Sequence, residues 1–212
     1  MPEETVVLVH GLWVNGLEME LLRRRLAAAG YRSRRYSYPS ITNTPFENAM
    51  DLNEFVERLD SATIHFVCHS LGGIVIRHLF HYFPRQRPGR IVTLGTPHNG
   101  SAAAAALSRF LPGRLLLGKS LQHGLLGPLP PWPGSHELGS IAGSVRLGLG
   151  RLLPAVPQPS DGTVAVAETR LAGMADHIII ATSHSGLLIS KTAGRQTCYF
   201  LQTGKFDHRS GP

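Results

Sequence analysis

Short apolar runs alternate along this chain with segments whose apolar positions recur every three or four residues. The continuous runs are typical of strands covered on both faces of a parallel sheet, and the periodic segments are typical of amphipathic helices. The predicted strands are 6–9, 31–38, 63–67, 90–95, 138–143 and 178–181. The predicted helices are 17–29, 46–59, 74–83, 164–171 and 192–202. This alternation predicts an α/β fold, with a mostly parallel central sheet and helices on both faces.

Two apolar, Gly- and Pro-rich connections interrupt the alternation, at about 107–133 and 145–159. They are either irregular connections folded onto the core or segments that border the active site, as a lid or as a wall for an acyl chain. Neither connection contains a repeat or marks a boundary, so we expect one domain over residues 1–212.

The third predicted strand leads into Cys68-His69-Ser70-Leu71-Gly72-Gly73, and a predicted helix follows directly. A strand, a sharp turn and a helix expose the serine hydroxyl in the geometry called a nucleophile elbow. The usual pattern is G-x-S-x-G, and here Cys68 stands at the first position. Serine and glycine are also common in plain turns, so the interpretation depends on partners elsewhere in the chain.

Asp161 and His184 supply those partners, in the chain order serine, acid, histidine. A neutral imidazole takes the proton of an attacking hydroxyl, and a carboxylate orients that imidazole. Asp161 precedes Gly162 and has the alternative role of closing a turn. His177 is the competing base, but His184 follows the carboxyl end of the last strand, where Ser70 is also expected.

An oxyanion formed in such a reaction needs fixed hydrogen-bond donors. The candidates are the backbone N–H groups of Leu71, beside the nucleophile, and of Leu12, after His10-Gly11. We expect His10 to brace the oxyanion loop, and the side chain of His69 to diverge from that of its neighbour Ser70.

The remaining histidines do not predict a metal site. His98 either lines the pocket or satisfies loop backbone. His78 and His81 have the spacing of helix-borne metal ligands, but no carboxylate or cysteine pair lies nearby in sequence, which favours a plain helix surface. There is no phosphate-binding loop and no dinucleotide fingerprint, so we expect no metal and no organic cofactor.

Basic residues outnumber acidic ones, 21 to 14, for a net charge of +7. The one dense cluster comprises Arg23, Arg24, Arg25, Arg32, Arg34 and Arg35. It is interpreted either as a solvated helix face and strand or as a surface for weak association with an anionic membrane. No nucleic-acid-binding module accompanies the charge, so a nucleic-acid partner is not expected.

The cellular compartment is inferred from the cysteines and from the N-terminal residues. Cys68 and Cys198 are predicted to be two buried thiols without a disulfide. Nothing near Met1 resembles a signal peptide, and no apolar run approaches the length of a membrane span. These features favour a cytoplasmic location.

Five sequence blocks resemble those of bacterial lipases and esterases of the α/β-hydrolase superfamily, particularly the small lipase A type of Bacillus. In one-letter code they are VLVHGLW at 7–13, CHSLGG at 68–73, LGTPHNGS at 94–101, SDGTV at 160–164 and SHSGLL at 183–188. The resemblance implies Ser70 as nucleophile, Asp161 as acid and His184 as base. It also implies Leu12 and Leu71 as the oxyanion-hole positions.

The implied activity is that of a serine carboxylic-ester hydrolase, acting on a hydrophobic ester or lipid through an acyl-enzyme on Ser70. The same machinery is used by thioesterases, acyltransferases and amide hydrolases, and a binding protein could keep the fold without catalysis. The chain departs from the family at Cys68 and in its long apolar connections, and it is expected to differ in having no secretory leader.

Overall fold

A six-stranded, all-parallel sheet organises the computed structural model, which describes residues 4–147 and 156–209. The strand order is β2-β1-β3-β4-β5-β6. The strands are β1 (Glu4–Val9), β2 (Arg32–Tyr36), β3 (Thr63–His69), β4 (Ile91–Leu94), β5 (Leu138–Gly143) and β6 (Asp176–Ile180). The predicted parallel sheet is therefore confirmed, with every predicted strand present.

Helices cover both faces of the sheet. They are α1 (Glu20–Ala28), α2 (Pro45–Glu57), α3 (Leu71–Tyr82), α4 (Ala102–Leu107), α5 (Leu111–Leu117), α6 (Gly186–Ile189) and α7 (Lys191–Thr203). Strand β1 shows why its apolar run is continuous. Val7 and Val9 belong to the core on the side of α2 and α3, whereas Val6 and Leu8 belong to the core on the side of α1 and α7.

Local signals set the start of α2. The Thr44 side chain accepts a hydrogen bond from the Glu47 amide at 3.1 Å, and the Glu47 carboxylate accepts one from the Thr44 amide at 2.7 Å. This reciprocal pair is a capping box, and Pro45 occupies the first helical position. The residues at positions 44, 45 and 47 thus determine where α2 begins.

The first predicted helix differs in phase from the expectation. Residues 17–19 form a 3-10 turn, and α1 begins only at Glu20, so the apolar face does not run continuously from Leu17. Met19 is fully buried, whereas Leu17 and Leu21 are 61% and 41% exposed. Two leucines of the predicted helix 17–29 thus lie at the surface.

The connections also differ from the expectation. Residues 107–133 are not wholly irregular, because α5 and a 3-10 turn at Gly118–Leu121 lie within them. The predicted helix at 164–171 is a single 3-10 turn, Val166–Thr169, which ends because the backbone is extended again at Arg170. The connection predicted at 145–159 falls mostly on residues 148–155, outside the described residues.

Both cysteines are free thiols. Cys68 is buried as predicted, but Cys198 is only half-buried, because it lies on α7 at the rim of the core. Within the described residues, no helix is both long enough and apolar enough to cross a membrane.

Candidate active site

Ser70 occupies a strained turn between β3 and α3. Its φ of 52° and ψ of −119° are unusual for a residue with a side chain. The turn is held in place by its backbone: the Ser70 amide donates to the Leu94 carbonyl at 2.9 Å, and the Thr96 hydroxyl donates to the Ser70 carbonyl at 2.8 Å. The structure therefore places Ser70 in an elbow, at the carboxyl edge of the sheet.

Glycine is required after the elbow because α3 packs closely against the sheet. A Cβ on Gly72 would lie 2.5 Å from the Val9 carbonyl oxygen, and one on Gly73 would lie 2.2 Å from Thr96 Oγ1. Cys68 is tolerated at the other side of the elbow because its side chain lies inside the core. Burial raises the pKa of this thiol well above its usual range, so Cys68 stays protonated.

Asp161 and His184 form a directed pair. Asp161 Oδ2 lies 2.7 Å from His184 Nδ1, and a carboxylate only accepts hydrogen bonds, so Nδ1 carries the proton. The other oxygen, Oδ1, accepts from the amides of Thr163 and Val164 at 2.9 and 2.7 Å. The carboxylate is almost wholly buried, whereas the His184 ring remains partly accessible. In the neutral imidazole, a proton on Nδ1 makes Nε2 the acceptor, as a general base requires.

His177 lies apart from this pair. Its Nε2 is 2.9 Å from the hydroxyl of Thr169, and burial lowers its pKa to about 4. It lies in the amino-terminal half of β6, whereas His184 follows that strand. The structure thus brings Asp161 to His184 and leaves His177 in a structural contact.

Gly95 brings the pair close to the elbow. A Cβ on Gly95 would lie 3.0 Å from His184 Nδ1 and 3.1 Å from Asp161 Oδ2. The preceding residue, Leu94, is the one that accepts the Ser70 amide. Ser70 and the Asp161–His184 pair therefore converge at the end of β4. Ser70 Oγ makes no hydrogen bond to another described residue, and such bonds often tighten only when substrate binds.

The loop after β1 packs against the elbow. A Cβ on Gly11 would lie 3.2 Å from Ser70 Cβ. The Leu12 amide makes no hydrogen bond within the described chain, and the Leu71 amide, at the first position of α3, has no intrahelical partner. Among the described residues, one amide with no hydrogen-bond partner thus follows Ser70 directly, and another lies in the loop packed against it.

His10 braces that loop, as predicted. Its Nδ1–H donates to the Gly11 carbonyl at 2.7 Å, its Nε2 accepts the Tyr38 amide at 3.1 Å, and its ring stacks on Tyr38 at 4.2 Å. This pattern requires a neutral imidazole. Burial lowers the pKa of His10, which keeps the ring in that state.

The side chain of His69 approaches the candidate base His184, a contact that the sequence did not predict. Its Nε2 lies 3.3 Å from the His184 carbonyl oxygen, and the two rings are 4.7 Å apart between centroids. Burial lowers the pKa of His69 to about 3, so the ring is neutral at ordinary pH. The contact spans 115 residues of sequence, and no local pattern reveals it.

His98 and His78 are structural. His98 is buried with Nε2 3.1 Å from the hydroxyl of Thr93, so it does not line a pocket. His78 is not on the helix surface, because it is 2% exposed and its Nε2 donates to the His123 carbonyl at 2.7 Å. In the part of the chain that the structure describes, no three His, Cys, Asp or Glu residues are grouped as metal ligands.

A family model described as "Domain of unknown function (DUF7379)" matches residues 4–112, just over half of the chain. The chain belongs to this family. The DUF7379 match includes the loop that holds Leu12 and the elbow that holds Ser70, but it ends before Asp161 and His184. No curated protein sequence matches the chain.

Solved structures share the fold of this DUF7379 member. The mature lipase BlEst2 of Bacillus licheniformis is 17% identical, with a TM-score of 0.68 over 96% of this chain and 91% of its own. The metagenomic carboxyl esterase MGS0156 is 18% identical, with a TM-score of 0.64 over 87% of this chain and 65% of its own.

A pyrethroid hydrolase from Sphingobium faniae is 12% identical, with a TM-score of 0.66 over 94% of this chain and 98% of its own. Identities this low establish a shared fold and not a shared substrate. The predicted α/β-hydrolase fold, and the resemblance to bacterial lipases and esterases, are therefore confirmed at the level of architecture.

Proposed function

We propose that this protein is a serine carboxylic-ester hydrolase that acts on esters with a hydrophobic acyl group. The observation that carries the proposal is the buried, fully hydrogen-bonded Asp161 carboxylate. It fixes His184 Nδ1 as a donor, next to a serine in a strained elbow. A serine at a plain turn has no need of a base whose tautomer is fixed in this way.

In the proposed reaction, Ser70 Oγ attacks the carbonyl carbon of the ester as His184 Nε2 takes the hydroxyl proton. Asp161 stabilises the resulting imidazolium. The amides of Leu12 and Leu71 donate to the oxyanion of the tetrahedral intermediate. Collapse breaks the bond to the alcohol, which leaves with the proton from His184, and the acyl group stays on Ser70.

The second half of the reaction uses the same groups. Water replaces the alcohol and attacks the acyl-enzyme while His184 Nε2 accepts one of its protons. The second tetrahedral intermediate collapses by breaking the bond to Ser70 Oγ. His184 returns its proton to that oxygen, and the carboxylic acid is released. These steps need no metal or organic cofactor.

Two observations support a hydrophobic acyl group. Trp13 follows the oxyanion candidate Leu12 directly and leaves half of its surface exposed, at 49%. Its indole N–H donates to the carbonyl of Leu116 on α5, whose outer side is apolar. An apolar chain leaving Ser70 on this side would contact Trp13 and the exposed leucines of α5.

Hydrolysis of p-nitrophenyl esters from acetate to palmitate tests the proposal, with the wild type and Ser70→Ala compared. We expect turnover that depends on Ser70, with a preference for longer acyl chains. Ser135→Ala is the matched control, because Ser135 is an exposed loop serine outside the site. Equal turnover by Ser70→Ala would refute the proposal. Matched thioesters, and an added alcohol, distinguish a thioesterase or an acyltransferase from an ester hydrolase.

A further inference from the structure

A group of large apolar side chains lies exposed on α5 and on the loop after Leu12. We name this group the α5 surface. Its members and their exposed fractions are Phe110 69%, Leu111 69%, Leu115 71%, Leu116 51% and Trp13 49%. Contiguous exposure of large apolar groups usually marks a surface that meets a partner.

The remaining residues of α5 pack against the protein, so the exposed side chains are not part of an incomplete hydrophobic core. Gly113 and Leu117, one turn apart, are the buried positions of the helix. A Cβ on Gly113 would lie 2.0 Å from the Leu107 carbonyl oxygen, which shows how tightly α5 contacts the end of α4. Leu111 and Leu115, also one turn apart, lie on the outer face.

Trp13 connects the loop after Leu12 to α5, the two segments that form the α5 surface. Its Nε1–H donates to the Leu116 carbonyl at 2.8 Å, and its φ of 64° is a strained conformation for a tryptophan. Its ring has an apolar body and a polar edge, a combination suited to the boundary between a membrane's headgroups and its acyl chains. The surface therefore begins one residue after the oxyanion candidate Leu12.

The segment that carries α5 has basic residues and no acidic ones. No Asp or Glu occurs in sequence from residue 61 to residue 136. Arg109 and Arg114 flank the apolar side chains and are exposed, and neither forms an ion pair with a described carboxylate. Arg114 Nε donates instead to the Ser108 carbonyl at 2.7 Å, which leaves its positive charge unneutralised.

The N-terminal arginine cluster is less available than its sequence suggests. Arg23 and Arg24 both bind the carboxylate of Glu20, at 2.7 and 3.1 Å. Arg25 donates to the carbonyls of Ser190 and Ile189 and so ties α1 to the start of α7.

We propose that the α5 surface docks onto an anionic lipid membrane, with its apolar side chains in the acyl boundary and Arg109 and Arg114 against the lipid phosphates. A second copy of the chain fits this surface less well, because a two-fold contact through α5 would bring Arg109 and Arg114 of one copy against the same residues of the other. Docking does not depend on ester hydrolysis. It would place the membrane beside the loop that packs on Ser70.

The test is co-sedimentation of the full chain, carrying Ser70→Ala so that no lipid is hydrolysed, with phosphatidylcholine vesicles with or without phosphatidylglycerol. We expect stronger binding to the vesicles with phosphatidylglycerol, weakened by added salt. Because Ser70→Ala cannot act as the proposed enzyme, this result is independent of hydrolysis. Binding without any wild-type esterase activity would refute only the proposed function, and activity on soluble esters without binding would refute only the docking.

Variants locate the surface. Leu111→Ser combined with Leu115→Ser should lower the partition coefficient by about tenfold or more, because two exposed leucines no longer enter the acyl boundary. Arg109→Gln and Arg114→Gln should each lower it by about fivefold. Ile189→Ser is the matched apolar control, because Ile189 is 62% exposed and lies on α6, across the sheet from α5. That control should bind as the parent protein does.

A second readout follows Trp13 itself. The chain contains two tryptophans, so Trp132→Phe leaves Trp13 as the sole reporter. We expect a blue shift of its emission with anionic vesicles and quenching by brominated lipid. Four results would each overturn the proposal: no vesicle binding, binding equal on neutral vesicles, binding lost instead in Arg34→Gln with Arg35→Gln, or a dimer that Leu111→Ser with Leu115→Ser disperses.

Discussion

Gly95 is where a single added methyl group should reach the Asp161–His184 pair most directly. It follows β4 with a φ of +60°. A Cβ there would lie 3.0 Å from His184 Nδ1, 3.0 Å from Leu187 Cδ1 and 3.1 Å from Asp161 Oδ2. These distances are shorter than ordinary van der Waals contacts, so the neighbouring groups would have to move by several tenths of an ångström.

Gly95→Ala should therefore have two separable effects. Placing a Cβ at a left-handed φ costs about 1–2 kcal/mol of stability, whatever surrounds it. Displacing the imidazole from its carboxylate should cost far more in rate, because a misplacement of a catalytic group on the order of 1 Å lowers turnover by about 100-fold. We expect a modest loss of stability and a fall in kcat of about 10- to 100-fold.

The assay pairs urea unfolding with kcat and KM on a p-nitrophenyl ester. Gly134→Ala is the matched control, because Gly134 has a φ of +72° and no atom within 4 Å of its added Cβ. It should lose similar stability and keep its kcat. A folded Gly95→Ala protein with the turnover of the wild type would refute the view that the Asp161–His184 contact serves the chemistry.

Three further predictions use the same assays. Asp161→Asn should lower kcat by about 10³- to 10⁴-fold. The amide oxygen would keep the backbone contacts and turn the NH₂ group toward His184 Nδ1, which favours the wrong tautomer of the histidine. Near-normal turnover would mean that another carboxylate orients His184. His69→Leu should lower kcat by about tenfold, because no side-chain nitrogen at position 69 would then orient the His184 backbone. His69→Gln should restore most of the lost kcat. An equal loss in both variants would contradict a positioning role for His69. Burial lowers the pKa values of His69 and His98 from 6.5 to about 3 in the folded protein. Between pH 6.5 and 3 the unfolded chain therefore binds more protons than the folded one, so the free energy of unfolding should fall as the pH drops through this range. His98→Gln should reduce the slope in that window by about 1.4 kcal/mol per pH unit, measured by urea unfolding, and an unchanged slope would contradict a neutral buried His98.

Most of the fold could be predicted because its signals are local. Each apolar run, and the capping box at Thr44, is formed by residues that are close neighbours in sequence. The elbow at Ser70 is also a local signal, because a few consecutive residues form it. Helix α4 was missed, although a run of five alanines after Ser101 is a strong helical signal. The phase of α1 could not be predicted, because a 3-10 turn precedes it and shifts which leucines face the core.

Long-range contacts explain what sequence patterns did not reveal. The approach of His69 to His184 and the hydrogen bond from Trp13 to Leu116 join segments more than 100 residues apart. The arginine cluster shows the converse. Its sequence indicates a free basic surface, but tertiary contacts of Arg25 and a shared carboxylate at Glu20 engage half of it.

Covalent labelling tests the central claim most directly. An organophosphonate that mimics the tetrahedral intermediate is incubated with the wild type and with Ser70→Ala, and the adduct is located by peptide mass spectrometry. Ser70 as nucleophile predicts one adduct, carried by Ser70 in the wild type and missing from Ser70→Ala. An adduct that survives in Ser70→Ala, or that lies on a different residue of the wild type, would contradict the proposed hydrolase.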